Sequence, residues 1–415
     1  MYKLYADLKA KISRHSSPEL GIVKPCAALL AHLLYDYQDR KKRLRKALRL
    51  LRTVPLYSNA NQLKGDVFIW YCDREDHKAN ALSIARKLEP DPRRLAVVYL
   101  PETSKDSNKG VQLGCIWKAI TIALKCRTSL YNSTLLVCVI THALYHRKVI
   151  HQQGLTSRIN RLVSYNSSNL PECFLVQACK DAGIDTFSMQ HGFYYRYAKE
   201  PPIDVINYEN VTAHRLLVWS EFCRDEIIAF HQTYDLRLDF EMPVAGYLKN
   251  GEIQPQPAAP ICSENRDHIL CLLPGKKDKE GCIELLRVLS SLPDDIAVTV
   301  RAHPLLKEDP HLIAAMPSRA MWDTATSLAE SFKSKPFTLA VGFNSTSLLE
   351  ALIANIPCAL FPCSTTRFDT DRLSKFDSTE SLLRLVHNQI PTNELANYFL
   401  GADTFRYREI VYGDY

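Results

Sequence analysis

At 415 residues the chain is too long for one ordinary core, so two domains are expected. Hydrophobic residues make up 46% and charged residues 23%, the balance of a globular protein, while 14 glycines and 22 prolines exclude a collagenous or low-complexity chain. The net charge of +7 suits anionic ligands or an anionic membrane surface without demanding nucleic acid.

The 13 cysteines form no CxxC pair. They read as reduced, mostly buried thiols of a cytoplasmic protein rather than as a zinc site. Met1 to Asp7 lacks the apolar core of a signal peptide. The longest apolar runs, Cys26 to Leu34 and Leu135 to Ile140, fall short of the roughly 20 residues that span a bilayer. Any membrane association is therefore expected to be peripheral.

Residues 1–60 read as a helical segment without strand signals. Arg40 to Arg52 is dense in cations and contains no acid, and Leu44, Leu48 and Leu51 recur at helical spacing. Two readings stand: a basic amphipathic helix on anionic headgroups, or a solvated helix packed on its domain by the leucines. From about residue 66 strands alternate with helices. The strands expected are Asp66–Tyr71, Leu95–Leu100, Leu135–Ile140, Leu162–Asn166, Ile184–Met189, Arg215–Trp219 and Met242–Gly246. The polar loop Ser167-Ser168-Asn169 is expected to cap a helix starting at Pro171, and Gly183 to stop that helix before the strand leading to Gln190. Gly251 to Asn265, rich in proline, reads as a linker. Beyond it come strands His268–Leu273, Ile296–Val300, Phe337–Val341 and Cys358–Phe361, and a helical tail. Continuous apolar strands separated by helices predict parallel sheets covered on both faces.

Three polar groups sit at strand ends, where open α/β sheets bind ligands. The first is Gln190-His191-Gly192. A neutral imidazole can take a proton from a hydroxyl nucleophile, or His191 simply hydrogen-bonds the loop. Gly192 is expected to allow a close backbone approach or a positive φ. The second is Arg301-Ala302-His303-Pro304. Arg301 and His303 point the same way from a strand and suit a phosphate clamp, or a salt-bridged strand end. The third is Asn344-Ser345-Thr346-Ser347 leading to Glu350. Hydroxyls and free N–H groups at a helix start make an anion site, or ordinary capping. Glu350 reads as a ribose ligand or a surface charge. Asn166, Asn169, Gly275 and Lys276 are further candidate substrate contacts. Asp369-Thr370-Asp371 matches a DxD metal pattern only formally, and no Walker A, GxGxxG or GxSxG motif is present.

In order and spacing, Gln190-His191-Gly192, Arg301-x-His303-Pro304 and Ser345-Thr346-Ser347-x-x-Glu350-Ala351 resemble bacterial surface-polysaccharide transferases of the GT-B fold. The group includes CDP-glycerol glycerophosphotransferases, sialyltransferases and Kdo transferases. The resemblance covers roughly residues 160–365. It lacks the acidic D/E-D/E-G motif of sialyltransferases, for which Asp73, Glu75 and Asp76 are no match, and this shifts weight onto His191 as base. It implies an α/β, GT-B-like fold of two doubly wound Rossmann-like domains facing a central cleft: residues 61–255 on the acceptor side, 256–380 on the donor side, and a 381–415 tail packing back on the first. It also implies a metal-independent transferase of capsule or lipopolysaccharide type with no cofactor beyond its donor. Its partners would be a CMP- or CDP-activated sugar or glycerol-phosphate unit and a glycan or lipid-linked acceptor, with residues 40–52 on the inner membrane face and no nucleic acid bound. His191 and Gln190 would serve catalysis, and Arg301, His303, Asn344, Ser345, Thr346, Ser347 and Glu350 the donor phosphate. A nucleotide-sugar epimerase or hydrolase of the same fold and a non-catalytic glycan-assembly scaffold are the alternatives.

Overall fold

The computed structural model describes residues 1–53, 57, 59–71, 75–100, 113–195, 203, 206–249, 251–256, 267–303, 306, 308–386 and 392–413. Three helices open the chain: α1 (Tyr2–His15), α2 (Val23–Asp36) and α3 (Arg40–Leu50). α1 buries Tyr2, Tyr5, Leu8 and Ile12, one stripe at helical spacing. The first sheet follows, through β1 (Gly65–Trp70), α4 (Glu75–Leu88), β2 (Leu95–Tyr99), α5 (Leu113–Lys125), α6 (Leu130–Gln152), β3 (Ile159–Ser164), α7 (Glu172–Asp181), β4 (Asp185–Met189), α8 (Ile206–Glu209), β5 (Arg215–Leu217) and α9 (Glu221–Thr233). Its order is β2-β1-β3-β4-β5 with every pair parallel.

The second sheet is built from β6 (His268–Leu272), α10 (Lys279–Ser290), β7 (Ala297–Arg301), α11 (Pro310–Ala315), β8 (Met321–Trp322), α12 (Leu328–Ser334), β9 (Leu339–Gly342), α13 (Thr346–Ile353), β10 (Cys358–Leu360) and β11 (Ser374–Lys375). Its order, β11-β10-β9-β6-β7-β8, is again parallel throughout. The chain winds outward through β7 and β8, returns to the middle, and winds the other way through β9, β10 and β11. That reversal opens a crevice between β6 and β9 at their carboxyl ends.

Three helices close the chain: α14 (Thr379–Val386), α15 (Asn393–Leu400) and α16 (Tyr407–Tyr412). α14 stays with the second sheet: Leu382 is buried in its core and Thr379 Oγ1 donates to Val288 O at 2.9 Å. α15 and α16 reach the first half. Ser220 Oγ donates to Phe399 O at 2.8 Å, and Tyr407 Oη to Gly246 O at 2.7 Å. The crossing thus begins at α15 and not at residue 381. One hydrophobic cluster joins Phe187, Met189, Leu348, Leu349, Leu360 and Phe399, and so both sheets and the tail.

Several expectations give way to the structure. Leu135–Ile140 is not a strand but part of the 23-residue helix α6, started by Ser129, whose Oγ accepts from Asn132 N at 3.4 Å. Leu135, Leu136, Cys138, Val139 and Ile140 are all buried, and a stretch of helix buried on most sides shows no 3.6-residue period in so short a window. Met242–Gly246 makes only isolated bridges, Arg215 to Glu241 and Val218 to Val244. Pro243 lies between them and has no N–H to extend a ladder. α7 carries no side-chain cap from Ser167, Ser168 or Asn169; Cys173 N donates instead to Asn169 O at 2.8 Å. Gly183 does end that helix, at a left-handed φ of 76°.

The basic helix also differs in its inward face. Arg43 and Ala47 are buried, whereas Leu48 is 44% exposed. Arg43 is a helix cap: its guanidinium donates to Leu33 O at 3.1 Å, Tyr37 O at 2.9 Å and Leu34 O at 3.3 Å, the open carbonyls at the end of α2. Of the linker expected over Gly251–Asn265, residues 257–266 lie outside the described residues, as do Asp73 and Pro304. Gln256 is pinned, its Nε2 donating to Phe332 O at 2.6 Å and Lys335 O at 2.9 Å. The eleven described cysteines are free thiols, all buried except the half-buried Cys363. Among the described residues no helix is long and apolar enough to cross a membrane.

Candidate functional site

The strand β4 ends at Met189, and the next residue holds the loop in place. Gln190 is fully buried. Its Nε2 donates to Gly192 O at 2.8 Å and Cys223 Sγ at 3.2 Å, and its Oε1 accepts from Trp219 N at 2.8 Å. Its carbonyl accepts from Trp219 Nε1 at 2.9 Å, and its N–H donates to Leu217 O at 3.1 Å. A buried amide so engaged does not reach a substrate. The structure therefore corrects the expectation of a catalytic Gln190: the residue bolts the loop after β4 to the loop after β5. Gly192 is corrected too. Its φ is outside the left-handed region, and a Cβ there would meet nothing within 4 Å. The glycine leaves open space rather than relieving a backbone.

His191 stands between two partners. Asn166 Nδ2 lies 3.3 Å from Nε2, and Tyr194 Oη 3.4 Å from Nδ1. The Asn166 amide has a defined orientation, because its Oδ1 accepts from Ser168 N at 3.1 Å. Nδ2 is thus the donor, Nε2 of His191 carries the lone pair, and the neutral ring keeps its proton on Nδ1 facing Tyr194.

The Asn166 loop is itself held from below. Glu172, buried in the first turn of α7, accepts from Tyr71 N and Asn166 N, each at 2.9 Å, and from Ser164 Oγ. Burial pushes its carboxyl up to about 8, against the pull of these hydrogen bonds. Ser167 N donates to Ser188 Oγ at 3.0 Å, and Thr212 Oγ1 donates to Ser167 O at 2.7 Å. Asn169 contributes backbone only, its N–H donating to Asn166 O at 3.1 Å.

On the opposite wall, β9 ends at Gly342 and the chain turns through Asn344, which is left-handed at φ 46°. Asn344 Nδ2 donates to Asp278 Oδ1 at 3.1 Å and Thr365 O at 2.8 Å, and its Oδ1 accepts from Arg367 N at 2.8 Å. It ties three loops together with its side chain. Ser345 then caps α13, its Oγ accepting from Ser347 N at 3.3 Å. Arg367 Nη2 donates to Asp278 Oδ2 at 2.9 Å. The Asp278 carboxylate thus anchors both Asn344 and Arg367.

A cavity of about 210 Å³ lies between these walls. One side is the stretch His191 to Tyr195 with Asn207 and Tyr208; the other is Asn344, Ser345, Thr346, Arg367 and Phe368. Aromatic rings close its floor. Phe193 stacks on Phe222 at 5.5 Å and meets Phe368 edge-on at 5.2 Å, and Tyr195 lies 5.2 Å from Phe368. Of the expected residues, His191, Gly192, Asn344, Ser345 and Thr346 share this space. Arg301, His303, Ser347 and Glu350 do not line it.

Arg301 makes the salt-bridged strand end, the other of its two expected readings, and lies outside the cavity. Its Nη1 pairs with Asp323 Oδ2 at 2.5 Å and Ala325 O at 3.2 Å. Burial raises the Asp323 carboxyl, but hydrogen bonds from Ser331 and Arg301 outweigh it and hold the group below the usual carboxylate range. His303 packs across from Gly275, where a Cβ would come within 3.8 Å of its ring. The side chain of Lys276 lies outside the described residues. Glu350 is buried, not a surface charge, and accepts from Tyr247 Oη and from Lys249 Nζ at 2.9 Å. Asp369 and Asp371 both pair with Lys375 Nζ, at 2.7 and 3.2 Å.

Arg367, Asn207, Tyr194 and Phe368 escape the sequence reading. Arg367 follows β10 in the run Thr365-Thr366-Arg367-Phe368, and the strand-end logic that finds His191 applies there equally. Tyr194 and Asn207 face His191 only through the fold.

No family model matches the chain, and a comparison with curated proteins gives no match. Solved structures do resemble it. S. aureus MnaA with UDP is 11% identical, with a TM-score of 0.50, over 84% of this chain and 95% of that one. Anabaena HepE in complex with UDP and glucose is 10% identical, with a TM-score of 0.48, over 83% and 97%. The wall teichoic acid polymerase TagF with CDPG is 11% identical, with a TM-score of 0.47, over 89% and 92%. At such identities the likeness is one of fold. The chain has the GT-B fold, two parallel-sheet α/β domains.

Proposed function

We propose that the chain transfers a glycosyl or glycerol-phosphate unit from a CMP- or CDP-activated donor to a bacterial surface glycan or its lipid-linked precursor. The observation that carries this reading is the cavity that the His191 ring shares with the N-terminal end of α13. A helix start with free N–H groups favours an anion, and Arg367 adds a fixed cation beside it. In this reading they receive the leaving nucleotide phosphate, where negative charge grows as the bond breaks. His191 takes the proton of the acceptor hydroxyl at Nε2, the nitrogen whose lone pair faces Asn166. Asn166 yields that position to the acceptor. Tyr194 holds the opposite nitrogen and stabilises the imidazolium that forms. The aromatic floor excludes water and limits hydrolysis of the donor.

The test is a thermal-shift screen of cytidine, uridine, guanosine and thymidine mono- and diphosphates, followed by turnover of the best nucleotide's activated donors with and without acceptor. Stabilisation by a cytidine nucleotide and acceptor-dependent turnover are expected. Turnover of donor alone at the same rate replaces the reading with an epimerase or hydrolase. Absence of both binding and turnover leaves a non-catalytic scaffold.

A further inference from the structure

Two helices of the first half, α5 and α6, carry an apolar surface that lies outside the cleft. On α5, Leu113 is 73% exposed, Trp117 68% and Leu124 69%; Leu130, at the start of α6, is 86% exposed. The three on α5 stand four and seven residues apart and so share one helical face. Thr121, on the same face, donates its hydroxyl back along the helix to Trp117 O at 3.0 Å. The opposite face, Cys115, Ala119, Ile122 and Ala123, is the buried one. An amphipathic helix with its polar budget reversed in this way, apolar to the outside, marks a docking surface.

The charge beside it says what docks. α3 and α5 both pack against α6. Tyr131, next to Leu130, donates to Arg40 O at 3.3 Å, and the Arg40 guanidinium lies 5.8 Å from its ring. The eight Lys and Arg between Arg40 and Arg52 include one buried residue, the helix cap Arg43, so seven are exposed. Lys118 and Lys125, seven residues apart, run alongside the apolar face and are exposed. Leucine and tryptophan flanked by exposed cations, without an exposed acid on α3 or α5, complement the headgroup region of an anionic bilayer.

We propose that α5 with Leu130 is the membrane-contact element of this chain, its apolar face entering an anionic bilayer while the cations of α3 bind lipid phosphates. Of the two sequence readings of α3, the membrane one puts both functions on that helix. The structure divides them, because α3 spends its inward positions on Arg43 and Ala47. The surface acts independently of the transfer chemistry.

The experiment uses the full chain and vesicles of phosphatidylglycerol mixed with phosphatidylcholine, against pure phosphatidylcholine. Co-sedimentation with the anionic vesicles is expected, weakened by salt. Tryptophan emission reports the site: Trp70 and Trp219 are buried and Trp322 is half-buried on β8, so a blue shift on binding that Trp117→Phe abolishes comes from Trp117. The surface variants Trp117→Glu with Leu124→Glu, and Lys41→Glu with Lys42→Glu, are each expected to lower partitioning by about tenfold or more while the melting temperature stays near wild type. Wild-type partitioning that both variants leave unchanged overturns the proposal, as does no binding to anionic vesicles. A concentration-dependent dimer that Trp117→Glu abolishes, without vesicle binding, assigns the face to a second copy and overturns it equally.

Discussion

In the proposed reaction His191 is the base, and Asn166 and Tyr194 hold its ring. Asn166, oriented by Ser168 N–H, points a donor at Nε2 and so keeps that nitrogen unprotonated. His191→Ala is expected to lower acceptor-dependent turnover by about 10²- to 10⁴-fold, with the melting temperature little changed; a rate near wild type removes the base assignment. Gln190 gives the opposite phenotype. Gln190→Leu strands the buried Trp219 N–H and frees Gly192 O, at a cost of about 1–3 kcal/mol for each buried group left unsatisfied. Chemical denaturation is expected to show that loss. Gly192→Ala fits without strain in the empty cavity, so its fold stability should match wild type while ligand affinity falls. The motif Gln-His-Gly is legible as a unit, yet its three members divide into a bolt, the proposed base and open space. Only burial separates these roles, and residue identity does not report it.

Elements carry their own tests. α6 holds a chain of neutral histidines in its core: Tyr57 Oη donates to His146 Nδ1 at 3.1 Å, His146 Nε2 to His142 Nε2 at 3.1 Å, and His142 Nδ1 to Leu50 O at 3.2 Å. The carbonyl at the end accepts only, and so every tautomer along the chain is determined. Burial lowers His142 to about 4 and His146 well below its usual range. The unfolded chain binds these protons first, so the stability they confer is full above about pH 6.5 and is lost as pH falls toward 4. Melting temperature against pH should drop across that window, and His142→Gln with His146→Gln should flatten the slope. For α13, Ser345→Ala removes the cap and should cost about 1 kcal/mol.

Elements also mark how far the sequence could be read. The parallel strands β1, β3, β4, β6, β7 and β9 are apolar runs between helices, and they were legible for that reason. The Leu135–Ile140 part of α6 was not: a buried stretch of helix and a buried strand present the same short apolar run. The two-residue edge strands β8 and β11 carry too little pattern to see. Arg301 with His303 looked like a clamp because strand alternation was right. Asp323, twenty-two residues on, claims the guanidinium, and no local rule announces a partner at that distance.

The whole molecule is joined by its aromatic floor and its tail. Phe399 touches Phe193, Phe222 and Phe368, so it packs on loops from both halves at once. Phe399→Ala should cost about 3–5 kcal/mol and broaden the thermal transition as the halves uncouple. A transition that stays single and sharp argues against that coupling.

The chain passes between the halves twice, once near Gln256 and once before α15, and the two passages touch adjacent residues just past α13 (Thr346–Ile353), one each. Gln256 N donates to Ala354 O at 2.8 Å, and Thr392 Oγ1 to Asn355 Oδ1 at 3.5 Å. If the halves rock about these two tethers, α13 is the lever arm. Eight residues at about 1.5 Å each place the Ser345 end roughly 12 Å away. A swing of about 10° then moves that end by only about 2 Å, enough to loosen a nucleotide phosphate but not to swing the cleft wide. In the proposed transferase, donor exchange then takes only a small rocking about this point, and stiffening it is expected to slow release before it touches the chemistry.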